Sequence, residues 1–520
     1  MTQLKGDDFK EIRSDATQSY SEIRRGASDE IDVESASFNK SPWEAVIGLE
    51  IHVQLKTKSK LFCGCSTEFG ATPNTQVCPV CTGQPGALPV LNKQAVNYAI
   101  KMGLATNCSV NLTNVFARKN YFYPDLPKGY QISQFDLPIV ENGFLITNVN
   151  GEEKRVGITR IHMEEDAGKL IHAGSDNISG ATHSVSDLNR ACTPLIEIVS
   201  EPDIRSAAQA KNYMEKIHQL VRYLDIGDGN MEEGSLRCDA NVSIRKKGAE
   251  KFGTRAEVKN LNSFKAIEKA IDIEIERQIE LIEDGGTVVQ ETRHYDEATA
   301  STRSLRGKEA AHDYRYFPEP DLIPVYLTSE WVDTLKKELP ELPEAKKQRY
   351  LNDYKLSEYD VEVLTLDNNV ALYFEATIKH TQNFKEAANW IMGDITAFLK
   401  DNNQSITDLK IKPEHLAELI NLIEKGTISG KIAKNVIKEM LSTGATPADI
   451  VAKSGLTQIS NSDELKTIVT QVLNNNPGPV SELKAGKQAV IGFLVGQIMK
   501  ETKGRANPGL VNQLIKEIVG

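Results

Sequence analysis

The sequence predicts an α+β domain followed by an all-helical region. Three observations carry this reading. Short apolar runs broken by Gly, Pro and Asn continue to about residue 323. A proline-rich segment, Pro318-Glu319-Pro320-Asp321-Leu322-Ile323-Pro324, reads as a domain exit. After about residue 338, apolar residues recur three and four apart almost throughout. In the first region, Ala45-Val46-Ile47-Gly48-Leu49, Leu195-Ile196-Glu197-Ile198-Val199 and Ala240-Asn241-Val242-Ser243-Ile244 read as strands, with helices over 207–224 and 263–282. In the second, 414–423 and 432–441 are amphipathic and 489–499 is strongly apolar. The expected boundaries are a polar extension over 1–41, the α+β domain over 42–335, a helical domain over 336–450 and a helical tail over 451–520.

Composition narrows the class. The first 41 residues hold nine acids and no apolar core of the signal-peptide kind, so they read as a disordered extension of a cytoplasmic protein. No stretch approaches the roughly 18 apolar residues of a membrane helix, so no membrane partner is expected. The net charge is −11, yet residues 401–520 carry 14 basic against 12 acidic side chains, so the acidity lies before them. That distribution suits a body that gathers cations and a tail that meets a polyanion; a solvated surface accounts for the same counts.

Side chains two apart on a strand share a face. Glu50, His52 and Gln54 therefore stand together, with Leu49, Ile51, Val53 and Leu55 toward the core. A carboxylate, an imidazole and an amide displayed together form half of a metal site, or simply a solvated sheet face. The pattern recurs in Arg237, Asp239, Asn241 and Ser243, and again in Arg255, Glu257 and Lys259. His162-Met163-Glu164-Glu165-Asp166-Ala167-Gly168 sets three acids in succession. Adjacent carboxylates repel unless a cation holds them, and hard oxygen ligands suit Mg²⁺. Mg²⁺ bridging nucleotide phosphates would leave Arg237 and Lys259 to neutralise developing charge. Gly426-Thr427-Ile428-Ser429-Gly430-Lys431 has only a superficial likeness to a phosphate loop and reads as a helix connection.

Four of seven cysteines cluster: Cys63 and Cys65, then Cys78 and Cys81. Two close pairs over 63–81 can place four sulfurs tetrahedrally around a structural Zn²⁺. Unliganded thiols or an iron–sulfur group are the alternatives.

Longer motifs carry a resemblance. They include Val46-Ile47-Gly48-Leu49-Glu50-Ile51-His52-Val53, Arg118-Lys119-Asn120-Tyr121-Phe122-Tyr123-Pro124-Asp125 and Tyr130-Gln131-Ile132-Ser133-Gln134-Phe135. Others are Asp187-Leu188-Asn189-Arg190-Ala191-Cys192-Thr193-Pro194-Leu195-Ile196-Glu197, the run from Met231 to Asn241, and Asp313-Tyr314-Arg315-Tyr316-Phe317-Pro318-Glu319-Pro320. From Trp43 to its end the chain resembles the B-subunit family of GatCAB tRNA-dependent amidotransferases, the GatB/GatE family. The resemblance implies a cradle-shaped domain similar to that of glutamine synthetase, a helical domain and a tail similar to YqeY proteins that touches tRNA. It implies an ATP-dependent, glutamine-hydrolysing carbon–nitrogen ligase. ATP phosphorylates the side-chain carboxylate of Glu or Asp mischarged on tRNA(Gln) or tRNA(Asn), and ammonia from the amidase partner GatA, a glutaminase, then gives the amide. A small third partner, GatC, makes up the heterotrimer. The Mg²⁺ ligands implied are Glu50, His52, Glu165, Asp239 and Glu257, with Lys259 also at the nucleotide. Glu165, Lys119 and Arg237 are the implied catalytic groups, and Lys119 and Glu165 border the ammonia exit. A self-sufficient amide ligase and a non-catalytic tRNA adaptor are the rival readings. The clustered acids argue against the adaptor, and the tail against the ligase.

Overall fold

The computed structural model describes residues 41–173, 181–307, 314–454, 462–502 and 505–519. The expected extension lies, but for its last residue, outside the described residues, as does Asp313. The chain divides into two compact units, one ending at Pro343 and the other beginning at Glu344.

The first unit is a mixed α+β structure. Its strands are β1 (Trp43–Gln54), β2 (Ser109–Val110), β3 (Thr113–Asn114), β4 (Phe116–Asn120), β5 (Tyr130–Gln134), β6 (Val140–Val149) and β7 (Glu152–Glu165). They continue with β8 (Lys169–His172), β9 (Ser184–Asp187), β10 (Pro194–Ser200), β11 (Leu236–Lys246) and β12 (Ala256–Lys259). The last are β13 (Glu291–Asp296), β14 (Ser301–Gly307), β15 (Phe317–Pro318) and β16 (Val325–Tyr326). Nine of them form one sheet in the order β14-β13-β12-β11-β1-β10-β7-β6-β2, antiparallel except for the parallel pair β12–β13.

Three helices, α1 (Lys93–Ala105), α2 (Ala207–Tyr223) and α3 (Phe264–Glu283), pack against this sheet. Ser206 and Ser263 cap α2 and α3 by accepting from the Gln209 and Ala266 N–H groups, which sets where each begins. Their apolar stripes meet Leu49, Ile51 and Val53 of β1 in one core. The opposite face of β1, bearing Glu50, His52 and Gln54, is left free of that core and only partly buried.

β6 stops pairing with β7 at Val140 opposite Ile161, so the last residues of β7 need other partners on that side. Two glutamines of β5 supply them. Gln134 Oε1 accepts from the Met163 N–H at 3.0 Å and the Ile139 N–H at 3.1 Å, and Gln131 Nε2 donates to the Glu165 carbonyl at 2.7 Å. β5 pairs with β4 and β4 with β15, so this brace also sets a small three-stranded sheet against the end of β7.

The second unit is helical. One core spans Tyr350 to Val451 and another Leu465 to Ile515. Helices Pro413–Glu424 and Gly430–Thr443 are joined through Gly426, whose φ is 67°, and Ser429 caps the second by accepting from the Ile432 N–H. Among the described residues no helix is long and apolar enough to cross a membrane.

Gln134→Leu keeps the shape of the side chain but leaves two buried N–H groups unpaired. Each costs about 1–3 kcal/mol. Chemical denaturation of the variant is expected to show that loss as a lower midpoint.

Candidate active site

The register of the sheet assembles the site. Across β1, β10 and β7, His52 lies beside Glu197 and Glu197 beside His162; one step along, Leu195 lies beside Glu164. His52, Glu197, His162 and Glu164 therefore share the polar face. His52 Nε2 is 3.4 Å from Glu164 Oε1 and 3.5 Å from Glu197 Oε2, and His162 Nε2 is 3.3 Å from the same Glu197 oxygen. One ligand atom from each of His52, Glu164 and Glu197 lies within 4.8 Å of the others. Glu164 Oε2 is buried without a hydrogen-bond partner.

Two buried carboxylates this close demand positive charge. Burial pushes the Glu164 and Glu197 carboxyls upward, but His52 with Lys119 for the first, and His162 with His52 for the second, hold both below the usual range. Burial likewise opposes a charged His52, and Glu197 and Glu164 override it, raising the imidazole to about 10. Lys119, on β4, is pushed up by the same two acids despite its burial.

A second acidic group continues along the face. Glu50 lies beside Asp239 in register, and Asn241 beside Glu257. Lys259 bridges Asp239 and Glu257, its Nζ 3.1 Å from the latter, while Asn241 Nδ2 donates to Glu50 at 3.0 Å. Burial, then Glu197, Glu257 and Asp239, raise the Glu50 carboxyl, so Glu50 links the two acidic groups. A cavity of about 390 Å³ opens beside it, lined by Gly48, Glu50, Asn241, Ser243, Phe252 and Arg255 among others. At the other end, Arg237 Nη2 donates to Asp166 at 3.1 Å, and Gln54 holds the second Asp166 oxygen at 2.8 Å.

Glu165 stands apart. It follows Glu164 by one residue and so faces the other side of β7. Its Oε1 accepts from the Ile132 N–H at 2.8 Å and from the Lys128 ammonium, and its Oε2 accepts from the Cys192 thiol at 2.5 Å. Of the five residues expected around one cation, Glu50, His52, Asp239 and Glu257 share the polar face and Glu165 does not. Glu164 and Glu197 share that face with His52. The parity of His162 and Glu164 was available in the sequence, as was an acid at Glu197 inside an otherwise apolar strand.

Residues 45–333 match the model of the GatB/GatE catalytic domain, and residues 372–519 match that of the GatB domain. This chain belongs to the GatB/GatE family. A relative from Geotalea daltonii is 59% identical over 473 residues, covering 91% of this chain and 98% of its own. Relatives from Geobacter sp. strain M21 and Persephonella marina are 58% and 54% identical, each covering 92% of this chain and 100% and 99% of their own. All three are named as the B subunit of aspartyl/glutamyl-tRNA(Asn/Gln) amidotransferase.

Within this GatB/GatE fold the donor sets suit two kinds of metal. His52, Glu164 and Glu197 offer an imidazole, two carboxylates and an orphaned oxygen, which fits a divalent cation such as Mg²⁺ or Mn²⁺. At Asp239 and Glu257 the Lys259 ammonium already stands between the acids. The sulfurs of Cys63, Cys65, Cys78 and Cys81 lie within 4.8 Å of one another, and the Cys78 N–H donates to Cys81 Sγ at 3.1 Å. Four thiolates with no open position fit Zn²⁺. The contact between Cys63 and Cys81 drives the Cys81 thiol down to about 4 and Cys63 upward. Lys60, fully buried, sets its ammonium 3.6 Å from Cys81 Sγ and 3.3 Å from the Leu188 carbonyl. It sets a buried positive charge against Cys81, the buried member of the cluster, the other three cysteines being partly exposed.

Lys60→Met is expected to speed zinc loss to a chelating dye about tenfold, because the thiolate cluster loses its buried counter-charge. At the cation site, ligation requires neutral His52, whose folded value lies far above its ordinary one. Cation binding near pH 7 should therefore release about one proton, and apparent affinity should rise with pH up to about 10. Calorimetry in buffers of differing ionisation enthalpy reads the released proton directly.

Proposed function

We propose that this chain is the transamidating component of a tRNA-dependent amidotransferase, acting in the cytoplasm with the amidase GatA and the small protein GatC. The reading is carried by one observation: a buried carboxylate pair, Glu164 and Glu197, with His52 between them and a Glu164 oxygen that has no hydrogen-bond partner. Nucleic-acid docking alone calls for no such group, whereas phosphoryl transfer to a carboxylate does. The names of relatives more than half identical over nearly the whole chain point the same way.

In this proposal the polar face of the nine-stranded sheet is the floor of a glutamine-synthetase-like cradle formed by residues 42–335. The segments 336–450 and 451–520 form a helical domain and a YqeY-like tail that contacts the tRNA body. The side-chain carboxylate of Glu-tRNA(Gln) or Asp-tRNA(Asn) attacks the γ-phosphorus of ATP, the bond to the ADP oxygen breaks, and an acyl phosphate forms. Ammonia then adds to the acyl carbon, phosphate leaves with the bonding pair, and the nitrogen sheds a proton to give the amide. His52, Glu164 and Glu197 would hold a divalent cation, which would supply charge neutralisation beside the transferring phosphoryl group. Lys119, drawn to the same acids, places a fixed positive charge where two anionic groups must meet. Arg237, oriented by Asp166, and Lys259, steadied by Asp239 and Glu257, offer N–H donors to phosphate oxygens. Glu50 belongs to the nucleotide end, next to the cavity at Phe252. Glu165, behind β7 and locked by Lys128, borders the path by which ammonia arrives and stays shielded from protonation.

Adjacent residues separate these roles. Glu164→Gln is expected to weaken cation binding and to lower amide formation by about 10²–10³. Glu165→Gln is expected to lower glutamine-dependent amide formation while leaving cation binding intact. The assay is product formation by the reconstituted complex with ATP, Mg²⁺, glutamine and each mischarged tRNA. Full activity in Glu164→Gln would sink the assignment, and product from the chain alone with ammonium would favour a self-sufficient ligase.

A further inference from the structure

A row of aromatic rings runs from the cation site to the surface. Lys119, which senses Glu164 and Glu197, lies 5.1 Å from the Tyr314 ring centroid. Tyr314 meets Tyr121 edge-on at 6.0 Å and Tyr316 edge-on at 5.9 Å. Tyr316 in turn stacks on Phe135 with centroids 4.2 Å apart and planes within 8° of parallel. Phe135 is 45% exposed although the residues before it, Gln131 to Gln134, are buried.

The backbone around the row is tightly constrained. Arg315, between the two tyrosines, has φ of 45°, a conformation that a side chain of its kind adopts only when neighbours impose it. Asn120 imposes it: its backbone N–H donates to the Tyr314 carbonyl at 3.0 Å, and its side-chain amide donates to the carbonyls of Tyr314 and Arg315 at 3.1 and 2.9 Å. A few residues on, the Arg118 guanidinium grips the buried Glu319 carboxylate with two 2.8 Å bonds. Mere packing does not require that a turn be strained to present two rings beside a solvent-exposed third.

We propose that Phe135 and Tyr316, backed by Tyr314, form a stacking platform for the terminal nucleobase of the tRNA's single-stranded 3′ end. This rests on the reading of the neighbouring acids as the site where the esterified amino acid reacts. An amino acid anchored at Lys119 and the cation cluster carries its ribose and base one ester linkage away, toward the ring row. A flat π surface takes any base without reading its edges. Phe135, already stacked on one side and half exposed, extends that surface outward. Lys119 marks the inner end of the row, 5.1 Å from the Tyr314 centroid, where the amino acid would lie.

The test uses the assembled complex and uncharged tRNA carrying 2-aminopurine as its 3′-terminal base, a fluorophore quenched by stacking. Wild type should quench it. Phe135→Ala and Tyr316→Leu should lose most of that quenching, and Phe135→Ala should raise KM for the mischarged tRNA about tenfold with kcat little changed. Unaltered quenching in both variants, or none in wild type that still forms amide, overturns the platform. Phe135→Ala that sheds the amidase on gel filtration while quenching persists overturns it too, marking the patch as a protein–protein interface. Failure of wild type to form amide at all would overturn the reading of the site, and the platform with it.

Discussion

The structure depends on the repulsion between Glu164 and Glu197 and on the cations gathered to contain it. Two carboxylates removed from water beside each other are tolerated only because His52, His162 and Lys119 converge on them from three strands. That convergence requires β1, β10 and β7 to be neighbours in one register, and it requires β4 to be brought over the sheet. The glutamine brace at the end of β7, the Arg118–Glu319 pair and the capped helices behind the sheet are means to that placement.

The same logic explains why charge is distributed along the sheet as it is. One acidic group carries its compensation in imidazoles and has a carboxylate oxygen to spare; the other carries it in Lys259. Glu50 sits between and is the carboxyl raised by both. A surface of this kind has its charges fixed in place by the fold itself.

Much of the fold was legible in the sequence because period and punctuation agree locally. β1, β11 and β12 follow the alternation of their residues, β10 is a continuous apolar run broken by Glu197, and helices 207–223 and 264–283 begin where Ser206 and Ser263 can cap them. The polar faces of β1, β11 and β12 were legible for the same reason. What could not be read was strand order, because pairing between Pro194–Ser200 and both β1 and β7 is a long-range choice. Glu197 therefore passed for one polar interruption in a core strand. Glu164 and Glu165 could be ranked only by knowing which side of β7 faces His52. The dependence of Glu165 on Lys128 and Cys192 joins segments far apart in the chain and leaves no local pattern at all.

That adjacent pair makes β7 a partition one polypeptide thick. On one side of it Glu164 belongs to a charged, cation-seeking compartment; on the other Glu165 belongs to a sealed one lined by a lysine and a thiol. Such a wall accepts many exchanges of side chain but no change of length. Inserting one residue between the bulge at β7's pairing with Ser200 and the Gln134 brace would swap the two carboxylates between compartments while leaving composition, charge and strand propensity untouched. Length variation in this region should thus be confined to the turn at Asn150 and Gly151, where the hairpin between β6 and β7 can absorb it.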